Sequence, residues 1–161
     1  NNITYSGEMD FRNLKYLDFT EKEVKRYTVQ VGDILFNRTN SAELVGKTAV
    51  FREAKPMAYA GYLIRLRANI NNNPEFLSVL LNSNWGKRTL RGMCKSIIGM
   101  ANINATEIQA LKVYHPSLLV QNTFARRIGE VNKMKAIHRA SLAGLDALFA
   151  SLQHRAFRGE L

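Results

Sequence analysis

Beyond Ser117, apolar residues recur at Phe124, Ile128, Val131, Leu142, Leu145, Phe149, Leu152 and Ala156. Lys135 and His138 fill the two middle places of the same series. The steps alternate four, three, four, three throughout. That is the heptad spacing of a coiled coil, which puts every member of the series on one seam of a helix. Pro116 is the last proline, so nothing interrupts a helix that Ser117 can cap. At 1.5 Å per residue, a helix of about 40 residues is about 60 Å long. A chain of 161 residues cannot cover that stripe with its own remaining mass, so the seam predicts a helical partner. Polar residues in a seam, here Lys135 and His138, typically fix register or partner at some cost in stability.

The residues before this helix have a different texture. Asp33-Ile-Leu-Phe36 and Thr48-Ala-Val-Phe51 read as strands around a polar loop. Between Ala58 and Arg67 the pattern partly alternates: Ala60, Tyr62, Ile64 and Leu66 share one face, Arg65 and Arg67 the other. Asn73-Pro74 reads as a helix start, with Asn as cap and Pro at the first helical position. Phe76, Leu77, Leu80 and Leu81 then supply an apolar stripe. A second short helix restarts at Asn84, through Trp85, Thr89 and Leu90. A third opens at Asn104, whose spacing to Glu107 is that of a capping box. Leu111 to His115 reads as a closing strand stopped by Pro116. The expected class is α+β: a mixed α/β globular domain over residues 1–116, followed by a long coiled-coil-forming α-helix over residues 117–161.

Composition bounds the function. Lys and Arg outnumber Asp and Glu by 23 to 13, a net charge of +10. A field of that sign favours phosphate backbones or other anionic surfaces. With 46% hydrophobic residues a packed core is expected, and wholesale disorder is not. The single Cys94 excludes an internal disulfide and a cysteine-rich zinc site, and points to a cytoplasmic protein. No apolar run approaches the roughly 20 residues needed to span a bilayer, and no signal-peptide pattern is present. The chain begins Asn1-Asn2 without Met, which is expected of an excised fragment.

Catalytic chemistry finds little support. Ser41-Ala-Glu-Leu-Val-Gly46-Lys47-Thr48 is one residue from a phosphate-binding P-loop. Such a loop must lead into a helix, and Ala49-Val50-Phe51-Arg52 reads as a strand. His115, His138 and His154 lie far apart without ligand-like spacing. There is no Gly-x-Ser-x-Gly elbow, no obvious carboxylate pair, and no Pro-Pro dipeptide of the kind found in amino-methyltransferase active sites. No catalytic residue, metal or cofactor is expected in this chain.

Two polar segments remain. The first is Asn37, Arg38, Thr39, Asn40 and Ser41, with Lys47 nearby. The second is Lys87, Arg88, Arg91, Lys95, Ser96 and Asn102, followed by Asn104. These are residue types that read duplex DNA. Arg bridges guanine O6 and N7, Asn bridges adenine N6 and N7, and Ser, Thr and Lys hold phosphates. A solvated basic surface with ordinary turn residues has the same composition. Asn104 fits a helix cap better than a base contact. On the long helix, Arg126, Arg127, Lys133, Lys135 and Arg139 fit an exposed flank of the coiled coil better than direct phosphate contacts.

Several stretches resemble the specificity subunits of type I restriction–modification enzymes. They are Val31 to Ser41 with Glu43 to Phe51, Tyr62 to Arg65 with Asn73 to Leu77, Ala101 to Asn104 with Leu111 to Pro116 and Gln121, and Ser151 to Leu161. Together and in order they cover most of the chain. Family members usually carry consecutive prolines and a Glu-Gln pair at the junction, where this chain has His115-Pro116-Ser-Leu-Leu-Val120-Gln121. One recognition domain and one conserved helical region are present, where the full subunit has two of each. The resemblance therefore implies a carboxyl-terminal half or a half-sized subunit.

The resemblance also implies partners. Each recognition domain reads one half of a split double-stranded DNA target, and the paired helices act as a spacer. Methyltransferase subunits bind S-adenosylmethionine, and restriction subunits use ATP and Mg. Here two copies are expected to pair antiparallel through Phe124, Ile128, Val131, Lys135, His138, Leu142, Leu145, Phe149 and Leu152, as an isologous dimer. One competing reading is a helical assembly scaffold with only weak DNA binding. Another is the recognition domain of a fused restriction–methylation enzyme, against which Gly159-Glu-Leu161 resembles a family terminus.

Overall fold

Five consecutive residues, Asp33-Ile-Leu-Phe-Asn37, are buried without a break. A strand covered on both faces reads as such a run, because neither set of alternating side chains meets water. In the computed structural model, which describes residues 2–41, 45–97 and 100–161, this run is the central strand of an antiparallel sheet. We number that strand, Ile34–Asn37, β2. It lies between β4 (Thr48–Val50) and β6 (Leu63–Leu66). Register pairs Phe36 with Thr48 and Ile64, and Leu35 with Ala49 and Arg65. Phe36 joins a core cluster with Val45, Leu81, Leu90, Ile103 and Ile108. Leu35 and Ala49 join another with Ile3, Val29, Phe51 and Leu63. The two faces of one sheet thus feed two cores. The expected class, α+β with a long carboxyl-terminal helix, is what the chain adopts.

The surrounding elements are short. α1 (Glu21–Tyr27) opens on a Thr20–Glu23 capping box and leads into β1 (Thr28–Val29), which pairs with β5 (Met57–Ala58). α2 (Pro74–Asn82) starts where Asn73-Pro74 predicts, with Asn73 Oδ1 accepting from the Glu75 and Phe76 amides. It packs on the outer strand β4, where the Asn82 side chain accepts from Thr48 N–H at 3.2 Å and donates to Thr48 O at 2.7 Å. Those bonds satisfy an edge that would otherwise present bare backbone groups. α3 (Asn84–Met93) follows with Ser83 as its cap. A Cβ on Gly86 would lie 2.4 Å from the Leu80 and Leu81 carbonyls, so glycine permits the close approach of α3 to α2. α4 (Ala105–Gln109) carries the expected Asn104–Glu107 capping box.

A further three-stranded antiparallel sheet joins β3 (Thr39–Asn40), β8 (Met100–Asn102) and β7 (Lys95–Ile97), in that order. Two expectations are corrected. Leu111 to His115 pairs with no strand among the described residues. Its apolar side chains alternate because Leu111 packs on the core beside Ile108, and half-burial alone produces that pattern. Ala60 and Tyr62 precede β6 and are exposed. Residues 42–44 of the P-loop-like stretch and of the family-like segment lie outside the described residues, as do the side chains of Asn40, Lys95 and Ser96.

The chain divides into two units, Asn1–Asn122 and Thr123–Leu161. The first holds every named strand, α1 to α4 and the first turn of α5 (Leu118–Phe157). The second is the remainder of α5 and the last residues. No helix among the described residues is long and apolar enough to cross a membrane.

Candidate nucleic-acid interface

The two polar segments singled out in the sequence meet in the small sheet. Register sets Thr39 opposite Asn102, and Asn102 opposite Lys95. In the next row Asn40 faces Ala101, and Ala101 faces Ser96. Asn102 Oδ1 accepts from Arg38 Nε at 3.3 Å and from the Thr39 hydroxyl at 3.1 Å. The Arg38 backbone is held on both sides, its N–H donating to Tyr62 O and its carbonyl accepting from Ile103 N–H, each at 3.0 Å. Only Nε of the guanidinium is engaged. Its Nη1 and Nη2 have no partner among the described residues. A guanidinium fixed through its stem with two donors uncommitted is suited to a planar pair of acceptors, such as a guanine edge or a phosphate.

α3 supplies further positive charge and runs into β7 through Cys94 alone. Its buried residues are Gly86 and Leu90. Arg88 and Arg91, three residues apart and therefore neighbours on the helix surface, are exposed. Arg88 Nε donates to Asn84 O at 3.3 Å. Lys87 is half-buried, with its ammonium 4.4 Å from the centroid of the Tyr5 ring. Arg38, Lys87, Arg88 and Arg91 pair with no carboxylate among the described residues. Ion pairs among the described residues include Arg12–Asp10, Arg52–Glu75, Arg67–Asp33 and Arg126–Glu130. Ser41 is also exposed.

Two of the expected contacts are corrected, because they are interior. Asn37 is 0% exposed and Lys47 is 8% exposed. Gly46 N–H donates to Asn37 O at 2.9 Å and Asn37 N–H to Lys47 O at 2.8 Å, so Gly46 and Lys47 together oppose Asn37. That is a β-bulge with its glycine in the left-handed region (φ 79°). The bulge brings Lys47 onto the sheet, where its ammonium donates to Ile3 O at 2.8 Å. Burial, then the charge of Lys87, pushes the Lys47 ammonium below the usual lysine range. Neither residue presents a polar group to a duplex.

Along α5, Phe124 and Ile128 are half-buried. From Val131 onward the seam residues Lys135, His138, Leu142, Leu145, Phe149 and Leu152 are exposed. Leu145 is 60% and Phe149 63% exposed. Met134, Ile137 and Leu148, outside the predicted seam, are exposed as well, so the apolar stripe is broader than the heptad series alone.

Comparison with known proteins adds an independent line. No family model matches the chain. It is 29% identical over 166 aligned positions, 94% of its length, to the type I restriction enzyme MjaX specificity subunit of Methanocaldococcus jannaschii. It is 28% identical over 164 aligned positions, 97% of its length, to the type I restriction enzyme EcoKI specificity subunit of Escherichia coli. The chain is similar in sequence to type I restriction enzyme specificity subunits. It spans 39% and 35% of the lengths of those two proteins.

Three features of the site leave little trace in the sequence. Tyr5, which holds Lys87, carries no signal in a segment without periodicity. The pairing of β3 with β8 joins residues about 60 apart by strands of two and three residues, too short to show alternation. Gln121 was noted only for its likeness to the family junction, and it is the one buried residue of α5.

Proposed function

We propose that the chain is a non-catalytic DNA-recognition unit. Residues 1–116 read one half of a split double-stranded target, and residues 117–161 form a pairing arm. The observation that carries this reading is the Arg38–Asn102 arrangement. Two distant polar segments converge on one small sheet, and a backbone-anchored guanidinium keeps two donors free. Arg38 and Asn102 then serve as base-reading candidates, with Thr39, Asn40, Ser41, Lys95 and Ser96 beside them. Lys87, Arg88 and Arg91 supply phosphate contacts, which fix register without reading sequence. The likeness to specificity subunits supports the same reading. It extends it to methyltransferase partners that bind S-adenosylmethionine and restriction partners that use ATP.

The exposed stripe of α5 supports an antiparallel homodimer, which places two identical recognition units at the ends of one spacer. It equally favours a second reading, in which the arm assembles partners and the recognition unit binds DNA weakly. Selection of duplexes from a randomised pool by the chain with its methyltransferase subunit, at about 150 mM salt where backbone-only binding is suppressed, separates the two. A split motif with a fixed gap is expected, palindromic if two copies are present. Complex formation with no recovered motif would leave only the scaffold reading.

A further inference from the structure

α5 buries a single residue, and that residue is polar: Gln121, 0% exposed. A buried amide is costly unless its donors and acceptor are used, and here they are. Oε1 accepts from Asn73 N–H at 2.9 Å, while Nε2 donates to Pro116 O at 2.9 Å and Asn71 O at 3.3 Å. The next residue repeats the link, with Asn73 Nδ2 donating to Asn122 Oδ1 at 2.9 Å. All of these groups belong to the unit Asn1–Asn122.

Asn73 is also the cap of α2, and the far end of α2 is bonded through Asn82 to Thr48 of β4. β4 pairs with β2, which ends at Asn37, the residue before Arg38. A continuous run of hydrogen bonds therefore connects β2, the strand that leads into Arg38, to the root of α5. A core packed for stability alone would place a Leu at position 121. A glutamine bonded to three backbone groups instead fixes one geometry, because each bond is directional.

We propose that Gln121 is a positioning residue for gap discrimination: it tethers the root of α5, and the tether sets how strictly the protein distinguishes the spacing between two half-sites. This rests on the split-target reading above. One added base pair moves a half-site by about 3.4 Å and about a tenth of a turn. A protein rejects that change only if its two reading surfaces are coupled without slack. Loosening the root leaves each half-site contact intact and removes the penalty for the wrong gap.

The test uses the chain in complex with its methyltransferase subunit, on duplexes that carry the selected half-sites at gaps one base pair shorter, equal and one longer. Wild type, Gln121→Met and Val120→Gly are compared. Gln121→Met keeps volume and removes the three bonds, whereas Val120→Gly loosens the exposed root without touching Gln121. Both variants are expected to keep the half-site sequence and to lose roughly tenfold in discrimination between gaps. Amide hydrogen exchange is expected to show faster exchange at Gln121 and Asn122 with β2 still protected. If Gln121→Met does not fold, Val120→Gly decides. Unchanged gap discrimination in the variants that fold would overturn the role of the tether and leave split-target recognition standing. A wild-type complex with no gap preference would overturn the split-target reading itself.

Discussion

Arg38 and Asn102 lie 64 residues apart in sequence, and the Arg38 guanidinium donates from Nε to Asn102 Oδ1 at 3.3 Å. The bond orients the side chain while leaving Nη1 and Nη2 for an outside acceptor. If Arg38 reads a base, Arg38→Ala costs about 1–3 kcal/mol and relaxes one position of the target. Asn102→Ala, which leaves the guanidinium chemically intact and removes its guide, is expected to relax the same position by a smaller amount. Relaxation at a different position would mean that Asn102 reads its own base. A uniform affinity loss across sequences would mark Arg38 as a phosphate contact.

Much of this arrangement was legible beforehand, and the limits have physical causes. β2 and β4 announced themselves as apolar runs, α2 and α4 through Asn73-Pro74 and Asn104 with Glu107, and α5 through its heptads. These are local signals, made by residues a turn or a strand apart. The sheet that joins Arg38 to Asn102 is held by non-local pairing of polar strands, which leaves no periodicity to read. Lys47 misled for a related reason. A lysine beside a polar loop is ordinarily solvated, and only the bulge at Gly46 turns it into the interior.

Lys47 and Arg91 have opposite expected behaviour in salt. Each phosphate contact adds about 0.9 to the slope of log affinity against log salt. Arg91→Ala is therefore expected to lower the slope by about 0.9 if the exposed guanidinium meets a phosphate. Lys47→Met leaves the slope unchanged, because the buried ammonium releases no counterion. Titrations between about 50 and 200 mM salt measure both. A shallower slope for Lys47→Met would return Lys47 to the DNA surface.

Asn37 is fully buried and its side-chain amide has no hydrogen-bond partner among the described residues. An unsatisfied buried polar group costs about 1–3 kcal/mol. Asn37→Leu, close in volume and apolar, is expected to raise stability by part of that amount, read as a higher urea midpoint at unchanged slope. The selected DNA motif should stay the same. Destabilisation would show that the amide has a partner in solution.

Asp33 gives the fold a dependence on acid. Burial pushes its carboxyl up. Hydrogen bonds from Arg67 and from Gln30 N–H, and the charges of Arg67 and Arg65, outweigh that and hold it below the usual carboxylate range. A carboxylate whose pKa is lower folded than unfolded stabilises above the unfolded value, about 3.9, and loses that contribution as pH falls through the folded value. Stability is expected to drop below about pH 4, with a shallower drop in Asp33→Asn. Equal slopes in the two proteins would exclude Asp33 as the responsible group.

The seam of α5 makes the last prediction, on the reading that two copies pair antiparallel. If Lys135 of each copy meets His138 of the other, Phe124 meets Phe149, Ile128 meets Leu145 and Val131 meets Leu142, so apolar residues face apolar residues along both halves. The polar pairs Lys135 and His138 of the two copies gather at the two-fold axis. Leu145→Asp with Phe149→Asp puts unpaired charges into both halves of that contact, and sedimentation at high micromolar concentration is expected to find monomer. Lys135→Leu with His138→Leu removes the polar centre. Association should tighten by roughly tenfold or more, while the register loosens, because polar seam residues exchange stability for a unique alignment. Disulfide trapping through cysteines placed at Val131 and Leu142 would report the register as one crosslinked species in the parent and several in the double-leucine variant. A parent that stays monomeric at those concentrations would remove the homodimer and leave the stripe to a different helical partner.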